Sequence, residues 1–134
     1  MSRTDPTLPD VGTIPVLIVD DQQPFRAVAR TVVALAPGFE VVAEAVSGEE
    51  AVEMAAAHGP AVVLMDINLP GIDGIEATRL ITEASPDIVV VLLSTYDAAS
   101  LPSTAATCGA ARYVHKEDLS PAILQEVWEQ RRRP

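Results

Sequence analysis

The sequence predicts an α/β fold built on one doubly wound, five-stranded parallel sheet, and three observations carry that reading. Five short apolar runs recur along the chain: Val16–Val19, Phe39–Ala43, Ala61–Met65, Ile88–Leu93 and Arg112–Val114. Each is too short for a helix and rich in Val, Ile or Leu, and the hydrophobicity within each is continuous rather than alternating, which marks strands covered on both faces. Segments with helical spacing separate them and give five β–α units. Right-handed crossovers then favour the strand order 2-1-3-4-5, with helices on both faces of the sheet.

Residues 1–13 hold two prolines, a glycine and acidic residues without apolar periodicity, and read as a flexible leader; one domain follows over residues 14–134. The first strand runs into Asp20-Asp21, and Phe25, Val28, Ala29 and Val32 mark the core face of the first helix. After the second strand, Ser47-Gly48-Glu49-Glu50 forms a capping box that starts the second helix. The third strand ends at Asp66, an Asn68-Leu69-Pro70-Gly71 turn follows, and Ala77, Leu80, Ile81 and Ala84 give the third helix its apolar stripe. The fourth strand ends in Ser94-Thr95. A fourth helix is expected within Asp97–Ala110, beginning near Leu101 or Pro102, but Pro102, several Ser and Thr residues and a single large aliphatic, Leu101, make it the least stable element. The fifth strand leads to Lys116, and Ser120-Pro121 supplies an N-cap and a first-turn proline to a last helix with Leu124, Val127 and Trp128 inward.

At 134 residues and 49% hydrophobic content, the chain suits one domain that buries a core without disulfides or a structural metal. Its formal charge of -10 repels phosphate backbones and anionic lipid surfaces, which argues against direct nucleic-acid or membrane binding. Arg131, Arg132 and Arg133 read as a solvated end that complements the dipole of the last helix. Cys108 is the single cysteine and reads as a small buried residue. The N-terminus lacks an apolar signal-like stretch, and no run of about 18 apolar residues occurs, so a cytoplasmic location is expected.

In an open α/β sheet, ligands bind outside the carboxyl ends of the strands. That rule gathers Asp20 and Asp21, Asp66, Ser94-Thr95 and Lys116, the only lysine in the chain, at one edge. Singly, each acid has a plainer explanation as a helix-start or turn residue, and Tyr113 as a half-buried strand aromatic. Jointly they make a site. Clustered carboxylates repel, and a hard cation of oxygen preference, magnesium best of all, holds them ionised together. One carboxylate can then attack a phosphoryl group while metal, hydroxyl and ammonium stabilise the equatorial oxygens. His115 and His58 look incidental, with strand alternation setting His115 on the face away from Lys116.

From Val16 to Trp128 the sequence resembles the receiver domain of bacterial two-component response regulators, in the subgroup linked to helix-turn-helix outputs. The motifs are VLIVDDQ, VLMDINLPGIDGIEA, VVLLST and GAARYVHKED, in that order. The resemblance implies that Asp66 is the phosphoacceptor, that Asp21 and Asp66 bind the metal directly and Asp20 through water, and that Asn68 offers its backbone carbonyl. It implies further that Ser94 is the switch hydroxyl, Lys116 the cation paired with the phosphoryl group, and Tyr113 the aromatic rotamer switch. Glu117 departs from the proline that many members carry after the lysine.

The partners so implied are a sensor histidine kinase or phosphotransfer protein and a downstream protein, with homodimerisation on phosphorylation as an option. The chain is expected to be a signalling module without an output domain and not an enzyme beyond its own phosphorylation and dephosphorylation. A hydrolase with an aspartyl-phosphate intermediate is disfavoured, because Asn68 stands where such enzymes carry a second acid. A phosphate-independent interaction protein would be expected to lack a site residue, and none is missing.

Overall fold

The five apolar runs become five parallel strands in the order 2-1-3-4-5. The computed structural model describes residues 13–95 and 101–131. Its strands are β1 (Ile14–Val19), β2 (Phe39–Ala45), β3 (Val62–Asp66), β4 (Val89–Ser94) and β5 (Arg112–His115). β3 and β4 are buried along their whole length, which is why their sequences show no alternation. β2 lies at the edge and is mostly half-buried. It carries one extra residue in its pairing with β1: Val41 stands opposite Val16 but Ala43 opposite Leu17, leaving a bulge at Val42.

Among the described residues, four α-helices cover the sheet: α1 (Gln23–Leu35), α2 (Gly48–His58), α3 (Gly74–Ala84) and α4 (Pro121–Gln130). Successive strand residues face opposite ways, so the core divides in two. Val16, Ile18, Leu64 and Leu93 pack with α1 and α4 on one face. Leu17, Val19, Met65 and Leu92 pack with α2 and α3 on the other. Leu17, Leu64, Leu92 and Leu93 are fully buried, each side chain contributing roughly 1.5–3 kcal/mol relative to exposure.

The helix starts follow local chemistry. Ser47 Oγ accepts from the Glu50 N–H at 3.1 Å, and the Glu50 carboxylate reaches back to the Val46 N–H at 2.7 Å, one residue beyond the partner of a standard capping box. Asp73 caps α3 through the Glu76 N–H at 2.9 Å, and Ser120 caps α4 through the Ile123 N–H at 3.1 Å, with Pro121 in the first turn. The α1 stripe is rotated from expectation: Val28 is 51% exposed, whereas Ala29, Val32 and Val33 are buried. Ala84, expected on the core face of α3, is exposed. Thr78 is buried instead, its hydroxyl donating to the Gly74 carbonyl at 2.7 Å.

The expected fourth helix is corrected to a single 3-10 turn over Ser103–Ala106 among the described residues. Pro102 stands at its cap and has no N–H to give, the Thr107 hydroxyl returns to the Thr104 carbonyl at 3.4 Å, and Gly109 ends the segment at φ +99. Residues 96–100 of that expectation, residues 1–12 of the leader, Arg132 and Arg133 lie outside the described residues. Arg131 stacks on Trp128, 3.5 Å from the ring centroid, and donates to its carbonyl, so it does serve the end of α4. Among the described residues, no helix is long and apolar enough to cross a membrane.

Gly74 ties the fold to the strand end it serves. Its N–H donates to the Ile67 carbonyl at 2.8 Å, and a Cβ there would fall 2.0 Å from the Asp66 carbonyl oxygen. Gly74→Ala is expected to cost about 1–3 kcal/mol or more, since backbone must move to admit the methyl group. Gly59→Ala, at φ +56 with nothing within 4 Å of the added atom, is expected to cost only about 1–2 kcal/mol of backbone strain. Urea denaturation of both variants checks this, and equal losses would show that the close approach at Gly74 relaxes freely.

Candidate functional site

β1 and β3 are neighbours, although β2 comes between them in sequence, so the chain reverses its direction of travel across the sheet at their carboxyl ends. Asp20 and Asp21 follow β1 and Asp66 ends β3. Carboxylate oxygens of the three lie within 4.8 Å of one another. Asp20 is fully buried and Asp66 4% exposed, whereas Asp21 is exposed.

Asp20 is held on all sides. Its Oδ1 accepts from the Gln22 N–H at 2.8 Å, its Oδ2 from Lys116 Nζ at 2.7 Å, and its backbone carbonyl from Arg26 Nη1 at 2.7 Å. Arg26 is itself fixed by Glu44 on β2, Nε to Oε1 at 3.1 Å, and Arg30 shares that carboxylate at 2.8 Å. Asp66 Oδ1 lies 3.5 Å from Lys116 Nζ and accepts from the Asn68 N–H at 3.3 Å. Burial pushes the Asp66 carboxyl up from 3.8 to about 6, with the Asp20 charge adding to the rise and Lys116 and the Asn68 N–H opposing it.

Lys116 opens a 3-10 turn over Lys116–Asp118, directly after β5. The His115 ring shapes that turn: Nδ1 accepts from the Glu117 N–H at 3.2 Å, which assigns the ring proton to Nε2 and makes it the donor to the Thr95 carbonyl at 2.9 Å. A proline at position 117 has no N–H to give, so the departure at Glu117 supplies a contact of its own.

An open cleft of about 400 Å³ remains above the acids, lined by Asp21, Gln22, Asp66, Asn68, Thr95 and Lys116. The structure therefore brings Asp20, Asp21, Asp66 and Lys116 together and sets Asn68 on the cleft wall. Ser94 is buried at the end of β4, one residue past Leu93, the strand partner of Asp66, and Thr95 rather than Ser94 lines the cleft. Tyr113 is half-buried on β5 opposite Leu92 and packs into the core on the α2 and α3 side. Sequence reasoning missed Arg26, His115 and the role of Phe25, whose ring lies 4.5 Å from Lys116 Nζ. Arg26 had a signal, a cation five residues after the acidic pair in a strongly acidic chain. Phe25 was hidden in its helix stripe.

Three carboxylates facing one ammonium leave an excess of negative charge on oxygen donors alone, and that donor set suits a hard divalent cation such as magnesium.

A family model described as the response regulator receiver domain matches residues 16–127. The chain is 40% identical over 114 residues to the transcriptional regulatory protein DegU of Brevibacillus brevis, covering 85% of this chain and 48% of that protein. It is 38% identical over 116 residues to the response regulator GacA of Pseudomonas aeruginosa, covering 84% and 54%. The signal receiver domain of the putative response regulator NarL from Mycobacterium tuberculosis superposes with a TM-score of 0.80 at 28% identity, covering 91% of this chain and 98% of that one. The chain spans about half the length of the curated relatives it matches.

The raised Asp66 carboxyl has a measurable consequence for the metal-free protein. The folded state holds that proton more tightly than the unfolded chain, so the stability linked to it is fully present below pH 3.8 and is lost as pH rises through about 6. Asp66→Asn removes the charge and is expected to stabilise the metal-free fold by about 1–3 kcal/mol at pH 7.5. The gain should shrink below pH 6 and vanish below pH 4. Urea unfolding across that range checks the sign, and a loss of stability at pH 7.5 would refute the charge-excess reading.

Proposed function

Because the chain belongs to the response regulator receiver domain family, we propose that it is the receiver of a two-component system and that Asp66 takes a phosphoryl group from a sensor histidine kinase, a phosphotransfer protein or a small acyl phosphate. The observation that carries this reading is the Asp66 carboxylate lining an open cleft, with Asp20 and Asp21 within 4.8 Å and Lys116 at 3.5 Å. An Asp66 oxygen attacks phosphorus, the bond from phosphorus to the donor nitrogen or oxygen breaks, and the leaving group keeps the electron pair. Asp21, Asp66 and the Asn68 carbonyl would hold magnesium directly, and Asp20 through water. When bound, the ion neutralises the acids and the incoming phosphoryl oxygens.

Lys116 is already placed to pair with a phosphoryl oxygen, since only its longer contact, to Asp66, has to be exchanged. Ser94 and Tyr113 follow as the switch: the hydroxyl turns toward the new charge, and the aromatic ring changes rotamer on β5. The family is one of signal transducers, and Asn68, in place of a second acid, leaves the phosphoryl group without a dedicated acid or base for rapid hydrolysis. The consequence of phosphorylation is a changed protein–protein contact, including self-association, in the cytoplasm. The domain sequence 14–134 is the unit that receives the signal.

Phosphoramidate with magnesium is expected to add one phosphoryl group by intact mass, none without a divalent cation and none in Asp66→Asn. Unchanged labelling of Asp66→Asn would overturn the assignment. Asp20 already satisfies both oxygens through Lys116 and Gln22, whereas Asp21 is exposed at the cleft. Calorimetry should therefore show Asp21→Ala weakening magnesium binding about tenfold or more and Asp20→Ala less. Equal losses would mean that the two acids share the ion differently.

A further inference from the structure

Lys116 carries four rotatable side-chain bonds, yet its side chain is only 13% exposed and its ammonium meets three partners among the described residues. Two are carboxylates, Asp20 at 2.7 Å and Asp66 at 3.5 Å. The third is the ring of Phe25, with Nζ 4.5 Å from the centroid. In the third position of α1, Phe25 is half-buried and also packs against the α1 and α4 side of the core. Its ring thus spans the core and the site.

The three partners differ in what phosphorylation does to them. An Asp66 oxygen becomes the bridge to phosphorus, so that contact is exchanged, and the Asp20 contact, though kept, would weaken once a bound cation drew on the same carboxylate. The ring keeps its quadrupole whatever the charge state nearby, and a cation over a ring face is attracted most strongly where water is excluded. We infer that Phe25 is a positioning residue for the phosphoryl site: a neutral aromatic platform that keeps the Lys116 ammonium in place before and after Asp66 is modified. This rests on Asp66 being the phosphoacceptor.

A merely structural Phe25 would be replaced by any apolar side chain of similar bulk, whereas a platform needs the ring. Because Lys116 is the only lysine, labelling with 13C-lysine gives a single side-chain probe in the whole protein. In the unsubstituted chain, the Lys116 ε-methylene protons should be shifted upfield by the ring, and should stay so when magnesium and beryllofluoride are added. Phe25→Leu should lose that shift and bind beryllofluoride, at saturating magnesium, about 3- to 30-fold more weakly, the range expected for a desolvated cation–π contact. Phe25→Tyr should restore both within about twofold. Magnesium affinity without beryllofluoride should change less than about twofold in either variant. In a Lys116→Met background, Phe25→Leu should cost nothing further.

Urea midpoints accompany each variant, and Phe25→Met replaces Phe25→Leu should the latter fail to fold. Beryllofluoride binding by Phe25→Leu or Phe25→Met equal to that of the unsubstituted protein overturns the platform alone. So does an equal loss in the Lys116→Met background. Failure of the unsubstituted protein to bind beryllofluoride with magnesium overturns the phosphoacceptor reading, and the platform with it.

Discussion

A lysine ammonium held between two buried carboxylates is the contact around which the carboxyl end of this sheet is arranged. Lys116 lies 2.7 Å from Asp20 and 3.5 Å from Asp66, and neither acid has more than 4% of its surface exposed. Burying such groups carries a desolvation cost that one cation offsets only in part. Hydrogen bonds from the Gln22 and Asn68 N–H groups and a guanidinium behind the Asp20 carbonyl supply further compensation. Even so, the Asp66 carboxyl stays raised to about 6, so the fold tolerates an unrelieved charge at the wall of the cleft. Relief is left to what enters the cleft.

That constraint reaches back into the fold. Lys116 approaches the acids from the far side of the sheet, across β4 from β3, and can do so only if β5 ends in register with them. Leu93 pairs with both Asp66 and Val114, so the lysine follows two residues beyond the level of the acid. Gly74 lets α3 begin against the Asp66 carbonyl, where any side chain would push the strand end away. The Arg26 and Glu44 pair, part-exposed and weak as a source of stability, is better understood as holding the Asp20–Asp21 backbone against β2.

Much of this was legible in the sequence because parallel strands and strand-end ligands follow strong rules. Continuous burial of β3 and β4 left apolar runs that could be read directly, and the carboxyl-end rule collected Asp20, Asp21, Asp66 and Lys116 before any contact was known. What escaped depends on contacts between distant residues. The α1 stripe was rotated because Val28 and Val33 are equally apolar, and only docking decides which one is covered. Phe25 looked like core because half of it is core. His115 was set aside because no second ligand accompanies it, yet its ring bonds the Thr95 carbonyl and the Glu117 N–H, a structural role that no local pattern reveals.

The segment between β4 and β5 shows how local weakness and tertiary anchorage divide the work. Pro102 and the Ser and Thr residues after it leave a 3-10 turn where an α-helix was expected, so its own backbone provides little cohesion. Anchorage comes from its far end. Cys108 is buried in the α2 and α3 side of the core, its carbonyl accepts from the Thr82 hydroxyl at 3.2 Å, and Gly109 passes so close to Thr82 that a Cβ there would meet that hydroxyl at 2.4 Å. The near end is tied differently, by the Thr95 carbonyl to the ring of His115, the residue before Lys116. A movement of Thr95 would therefore strain a hydrogen bond to His115, the last residue of the strand that carries Tyr113 and the neighbour of Lys116, while α3 holds Cys108 at the other end. Among the described residues, the 3-10 turn thus lies between two tertiary anchors, Thr95 on His115 and Cys108 on Thr82, and depends on them more than on its own backbone.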